Sequence, residues 1–163
     1  MSGVVMLRGG GSGPSGSSDF TISTINGQLI PTFVDTTRGN KDLSVSSQNV
    51  IYAENQINDG DWIRIGNASD ADSGYIAEMD GTITYASGHC ENTGASSKEV
   101  HLFLNGVDQG NIGLLSGGAN AQFINTTLDI DFVQGDRIRL QGQDGIAGNI
   151  QDTVVRLTLK WRA

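Results

Sequence analysis

The side chains that catalysis most often uses are few in this chain. Its 163 residues contain two histidines, His89 and His101, and one cysteine, Cys90. Because His89 and Cys90 are adjacent, a strand would point them to opposite faces, where they cannot share a metal ion. The spacings H-E-x-x-H, C-x-x-C and G-x-S-x-G and the phosphate-binding P-loop do not occur. We therefore expect a protein that is not an enzyme, with no catalytic residue, no metal and no cofactor.

One polar loop has oxygen-bearing side chains at alternating positions. In the segment from 67 to 74, N-A-S-D-A-D-S-G, Asp70 and Asp72 resemble part of a calcium loop, since hard cations prefer carboxylate and carbonyl oxygens. The loop lacks the later bidentate glutamate, and Gly74 follows too late for the turn of an EF-hand. A solvated loop is the preferred interpretation.

Aromatic side chains are the usual platform for a sugar ligand, because their ring faces pack on the apolar faces of pyranoses. The candidates are Tyr52, Trp62, Tyr75 and Phe103. Aromatic residues make up only 6% of the chain, so the core needs most of them. For a ligand site we predict the residues Trp62, Asp70, Asp72 and Tyr75.

The charge balance excludes whole classes of partner. The formal net charge is −8, and the ten lysines and arginines are scattered. Binding to nucleic acid or to an anionic membrane needs clustered cations, so neither partner is expected. No apolar run approaches the roughly 18 residues of a membrane span, and the first residues do not form a signal peptide. We expect a chain that is made in a cytoplasm and does not insert into a membrane.

Apolar residues alternate with polar ones over most of the chain, which indicates strands. The last run, 153–161, is the most regular, with Val155, Leu157, Leu159 and Trp161 on one face. A terminal strand this regular is normally central and paired on both sides. In the run 123–132, Leu128, Ile130 and Phe132 share a face, and Ile138 and Leu140 point inward after the break at 134–136.

Glycine and asparagine turns separate these runs. Asn26-Gly27 and Asn105-Gly106 are two-residue hairpin signals, because both positions of a type I′ turn need positive φ. Pro31 cannot donate a ladder hydrogen bond, which places the run 28–34 at an edge or in an arm. Many short strands joined by such turns predict an all-β protein with a jelly-roll-like β-sandwich.

The first 40 residues read as an extended arm that precedes the domain 41–163. Residues 9–18, GGGSGPSGSS, form a flexible Gly/Ser linker. The match to G-x-G-x-x-G at Gly11, Gly13 and Gly16 lacks the strand and helix that a dinucleotide site requires. We expect the apolar tip Val4, Val5, Met6 and Leu7 to dock on a partner while the glycines give it reach.

The run L-D-I-D-F-V-Q-G-D-R-I-R-L at 128–140, followed by an amphipathic closing strand, resembles trimeric jelly-roll knobs of the C1q/TNF-like type. From about residue 40 onward, the chain also resembles small modules of bacteriophage head fibres, capsid decorations and tail-fibre tips. The matching pieces are W-I-R-I-G at 62–66, S-G-Y-I-A-E-M-D-G-T-I at 73–83, V-H-L-F-L-N-G-V at 100–107 and Q-G-D-R-I-R-L at 134–140.

This resemblance implies a homotrimer that is attached to other virion proteins through its N-terminal arm. The chain is short and has no long shaft, which favours a surface knob on the virion, a capsid decoration or head fibre, over a complete tail fibre. The alternative is a tail-fibre module that recognises a host-surface glycan through Trp62, the loop from Asp70 to Tyr75, and residues 143–150.

Overall fold

The computed structural model describes residues 20–25, 28–35, 41–66, 73–92, 96–143, 145 and 148–162, with side chains from residue 47 onward. Its regular structure consists of twelve strands, and this part of the chain contains no helix. The strands are β1 (Phe20–Ile25), β2 (Gln28–Asp35), β3 (Lys41–Ile57), β4 (Trp62–Ile65), β5 (Tyr75–Ile76), β6 (Gly81–Asn92), β7 (Lys98–Leu104), β8 (Val107–Leu115), β9 (Ala119–Asn125), β10 (Ile130–Phe132), β11 (Arg137–Gln143) and β12 (Ile150–Arg162). The prediction of an all-β, jelly-roll-like fold is confirmed.

The strands form one curled antiparallel sheet in the order β10-β6-β12-β3-β4-β11-β7-β8, and β9 pairs with the second half of β6. Strand β8 lies next to β9, where the Asn125 side-chain amide donates to the Ile112 carbonyl oxygen over 3.1 Å. The sheet is therefore nearly closed, and its inner face encloses the core.

The closing strand is central, as its alternation predicts. Strand β12 pairs with β3 on one side and with β6 on the other. Val155, Leu157 and Leu159 are fully buried and Trp161 is almost so. Ile138 and Leu140 of β11 are also buried, as predicted. This inner face gives the fold most of its hydrophobic stabilisation, because it removes large aliphatic side chains from water.

The predicted turn between β7 and β8 is present. Asn105 and Gly106 have φ of 50° and 87°, the positive values that a type I′ hairpin requires at both positions. The Asn105 backbone and side chain also bond to Arg137 and Asp136, so this turn is tied to the turn before β11.

Strand β3 is the element that sequence patterning missed. It runs for 17 residues, KDLSVSSQNVIYAENQI, with Val50, Tyr52 and Ile57 on the inner face. Two other runs are shorter than expected: the strand candidate at 75–79 is regular only over Tyr75–Ile76, and the run 123–132 is interrupted at residues 126–129. Leu128 and Phe132 are nevertheless buried, as their shared face predicts.

The predicted N-terminal hairpin is also present. Strand β1 pairs with β2 with Ile25 opposite Gln28, and β2 pairs with β3 from Thr32 to Asp35. Pro31 lies just before that second pairing begins, so its missing N–H interrupts no ladder with β3. The anchoring residues predicted at 4–7 lie outside the described residues. No helix that could span a bilayer occurs in the described part of the chain.

Candidate functional site

Trp62 lies on the outer face of β4, because its neighbour Ile63 points into the core. The Arg139 guanidinium lies 4.0 Å from the centroid of the indole ring. Phe103 approaches the same ring edge-on at 5.0 Å with an interplanar angle of 73°. Strand β11 lies between β4 and β7 and places Arg139 opposite Phe103 and Gln141 opposite Trp62. This register brings the side chains of Trp62, Arg139 and Phe103 together. Arg139 therefore covers one face of the indole ring.

Tyr75 lies on the other side of the sheet. It pairs with the inward-facing Ile138, packs against the core, and its hydroxyl donates to Oε1 of Gln48 over 2.9 Å. Burial raises the pKa of the Tyr75 phenol, and the negative charge of Glu78 adds to that shift. Trp62 and Tyr75 thus do not share a surface, while Asp70 and Asp72 lie outside the described residues. Ligand binding by these four residues stays a prediction.

His101 bridges two carboxylates on the outer face of the β7–β8 hairpin. Its Nδ1 lies 2.9 Å from Oδ2 of Asp108, and its Nε2 lies 3.2 Å from Oε2 of Glu99. Partial burial lowers the pKa of His101, but the hydrogen bonds to Asp108 and Glu99 and their charges outweigh it, so the pKa lies above its ordinary value. The described residues contain no group of three or more His, Cys, Asp or Glu side chains that could hold a metal ion.

The His101 cluster predicts a pH-dependent contribution to stability. A pKa raised on folding stabilises the folded state fully below the ordinary value of 6.5, and the contribution is lost as pH rises through the folded-state value. Substituting His101→Gln should therefore destabilise the protein more at pH 5.5 than at pH 9. Urea unfolding at both pH values, with the unaltered chain as reference, measures this difference. An equal loss at both pH values for His101→Gln would contradict it.

Cys90 and His89 point to opposite faces, as their adjacency predicts. Cys90 is fully buried, and burial raises the pKa of its thiol despite a hydrogen bond from the backbone at Ala121. A thiol that is buried and protonated is a poor nucleophile. The Cys90 side chain therefore has a packing role in the hydrophobic core.

His89 instead faces an open groove of about 420 Å³ on the outer face of β3, β12, β6 and β9. Three large apolar side chains lie exposed along it: Ile51 at 55%, Val154 at 45% and Ile124 at 68%. We call this surface the side groove. Its full lining is Ile51, Tyr85, Ser87, Gly88, His89, Gln122, Phe123, Ile124, Val154 and Arg156.

Cross-strand pairing builds the side groove from four strands. Arg156 lies opposite Ile51 on one side and Ser87 on the other, and Ser87 in turn lies opposite Ile124. The Arg156 guanidinium lies 5.3 Å from the centroid of the Tyr85 ring and forms no ion pair within the described residues. Within the described residues, the centre of the groove therefore has a positive charge that no carboxylate pairs, flanked by apolar side chains.

A second exposed apolar surface lies at one end of the sheet, and we call it the acidic end. Ile76 is 50% exposed and Val133 is 53% exposed. Backbone hydrogen bonds from Ala77 to Asp136 and from Gly135 back to Ala77 join the two segments that carry them. Its carboxylates belong to Glu78, Asp80 and Asp136.

Two of these carboxylates already accept hydrogen bonds: Asp80 from the Gln134 backbone at 2.8 Å and Asp136 from Val133 and Asn105. Glu78 is exposed and forms neither an ion pair nor a hydrogen bond within the described residues. In the described part of the chain, the acidic end thus presents apolar side chains next to Glu78, a carboxylate that forms no ion pair there.

Sequence reasoning named neither surface, although the chain contains a signal for the side groove. The pairs Val50-Ile51 and Val154-Val155 put two apolar residues side by side in a strand, so one of each pair must face outward. Such adjacent pairs at surface positions point to an exposed apolar face.

No protein-family model matches this sequence, and no curated protein matches it. Among solved structures, the chain is similar to one titled "Crystal Structure of FLHE", with 11% sequence identity. That match covers 73% of this chain and 100% of the other, at a TM-score of 0.32. A likeness at this level carries no argument about what the chain does.

Proposed function

We propose that this chain is a structural protein of a bacteriophage virion, a trimeric surface knob held to other virion proteins by its N-terminal arm. The observation that carries the proposal is the exposed apolar lining of the side groove, Ile51, Val154 and Ile124. Contiguous exposed apolar side chains mark surfaces that make contacts with other macromolecules. The virion is the setting that the sequence resemblance implies.

The features of the site support contact between proteins over chemistry. His101 is held between two carboxylates on a hairpin, Cys90 is buried, and Tyr52 and Tyr75 both use their hydroxyls to join strands. Each of these reactive groups has a structural role within its own neighbourhood. The net negative charge of the chain keeps it soluble before it assembles with its partners.

Recognition of a host-surface glycan is the alternative, and its support is weaker. A sugar platform needs an open ring face, and Arg139 covers one face of Trp62. Tyr75, the other aromatic proposed for that role, packs toward the core.

The virion proposal predicts that a chain without residues 1–18 folds but is not incorporated into particles. The deletion removes the apolar tip and its linker while leaving all twelve strands. Particles assembled with the full-length and the shortened chain should be purified and compared by immunoblot, with at least a tenfold loss expected for the shortened chain. Substitution of Gly11→Ser within the linker is the matched control. Unchanged incorporation of the shortened chain contradicts the proposed attachment.

A further inference from the structure

We propose that the side groove of one copy of this chain receives the acidic end of a second copy, with Arg156 paired to Glu78 of that copy. The inference rests on the proposed function, which calls for a symmetric assembly, and names the two surfaces that build it. The occupant is therefore a second copy of this chain and not a foreign partner.

The apolar side chains support this assignment. The described residues include seven large hydrophobics that are exposed. Ile51, Val154 and Ile124 line the side groove, and Ile76 and Val133 lie at the acidic end. When two such surfaces cover each other, their apolar groups leave water, and this lowers the free energy of the assembly.

The charges are complementary in the same way. The side groove has Arg156 at its centre, without a carboxylate partner in the described part of the chain. Glu78 of the acidic end is exposed and forms no ion pair within the described residues, and the exposed Arg137 lies opposite Ile76 on the neighbouring strand. Opposite potentials across an interface select the correct partner and fix its register. The net charge of −8 makes identical copies repel one another at long range, so the contact depends on the local ion pair and on the apolar surface that it covers.

One copy cannot make this contact with itself. The acidic end lies just before Gly81 at the beginning of β6, whereas the groove lies beside Ser87 and His89 of the same strand. At the usual rise per residue, Gly81 and Ser87 are about 20 Å apart along a rigid strand. The two surfaces therefore meet only between copies.

The contact joins two different surfaces, so it is heterologous. Such contacts close into a ring when the rotation between neighbours divides a full turn, and a ring of three matches the trimer that we expect. Every groove and every acidic end in a closed ring is occupied. No self-complementary face is needed.

Sedimentation velocity at micromolar concentration tests the proposal with charge-reversed variants. The unaltered chain, of 17.2 kDa, should sediment near three times that mass. Arg156→Glu and Glu78→Arg should each weaken association at least about 30-fold, the effect of removing one partner of a charge pair in an interface. The double variant Arg156→Glu/Glu78→Arg should associate again, because it restores opposite charges across the contact.

Leu114→Asp is the matched control, since Leu114 is exposed at 45% but lies in neither surface, and it should leave association unchanged. Ile124→Asp in the groove and Val133→Arg at the acidic end repeat the test at exposed positions, and far-UV circular dichroism checks that each variant is folded. A monomeric unaltered chain, single variants that associate normally, or a double variant as dissociated as the singles would each overturn the contact. Incorporation into particles is scored separately, so a monomer that still enters the virion overturns this contact and the trimer but leaves the proposed attachment to the virion standing.

Discussion

Replacing Tyr52 by alanine should lower the free energy of unfolding by about 4 kcal/mol, as large-to-small substitutions in well-packed cores do. Tyr52 is fully buried in β3, and its hydroxyl donates to the Ile138 carbonyl oxygen of β11 over 2.8 Å. The phenol thus joins two strands that are separated by β4 in the sheet order. Alanine would leave a cavity between the strands and an oxygen without its donor.

Tyr52→Phe separates the two contributions, because it keeps the ring and removes only the hydrogen bond. It should cost about 1 kcal/mol, the net contribution of one such bond. Burial raises the pKa of the Tyr52 phenol well above its ordinary value, so the hydroxyl remains a donor across the accessible pH range. Urea unfolding followed by circular dichroism measures both variants. Equal losses for the two would mean that the ring itself contributes little to the core.

Much of the fold follows from period-two patterning because a half-buried strand must alternate. The inner faces of β11 and β12 and the φ values of Asn105 and Gly106 agree with what their residue types require. In each case the information is local: a strand of alternating residues, or a turn of two. Local physics was sufficient where one face of the element is uniformly apolar.

Strand β3 is an element that the local pattern of apolar and polar residues does not predict. Many of its positions are filled by Ser, Asn and Gln, which weakens the alternation of apolar and polar residues. The apolar neighbours Val50 and Ile51 also face opposite sides of the sheet. Its strand state is secured by pairing with β12, a partner about a hundred residues later in the chain, at every position of Gln48–Ile57 except Asn55. Tertiary pairing here overrides weak intrinsic preference.

Prediction of the side groove likewise requires knowing which distant strands pair with each other. Ile51, Val154 and Ile124 come from β3, β12 and β9, and only the register across β6 brings them into one surface. The sequence contains each residue but not their adjacency. Trp62 and Tyr75 show the opposite case. Both are aromatic and close together in the chain, which predicts one ligand site, but they lie on opposite sides of the sheet.

Replacing Gly81 by alanine should destabilise the fold by about 3 kcal/mol, at the upper end of the usual cost of overpacking. Gly81 lies between Phe132 of β10 and Trp161 of β12 in the ladder. A Cβ there would lie 2.5 Å from Cζ of Phe132 and 2.6 Å from the Lys160 carbonyl oxygen. Moving the Phe132 ring relieves only one of these overlaps, and the other is with backbone.

Gly88→Ala is the matched comparison, because the three atoms nearest to its Cβ would all belong to the ring of Phe123, the closest at 2.2 Å. Phe123 is half-buried, so Phe123→Leu can make room, and the pair Gly88→Ala/Phe123→Leu should cost less than the sum of the two single changes. Gly81→Ala combined with Phe132→Leu should be relieved only in part, because the Lys160 carbonyl cannot withdraw without breaking the ladder of β12. Thermal and urea unfolding of the six variants measure both couplings. Full rescue of Gly81→Ala by Phe132→Leu would show that the aromatic ring, and not the close approach of two backbones, makes glycine necessary at the start of β6.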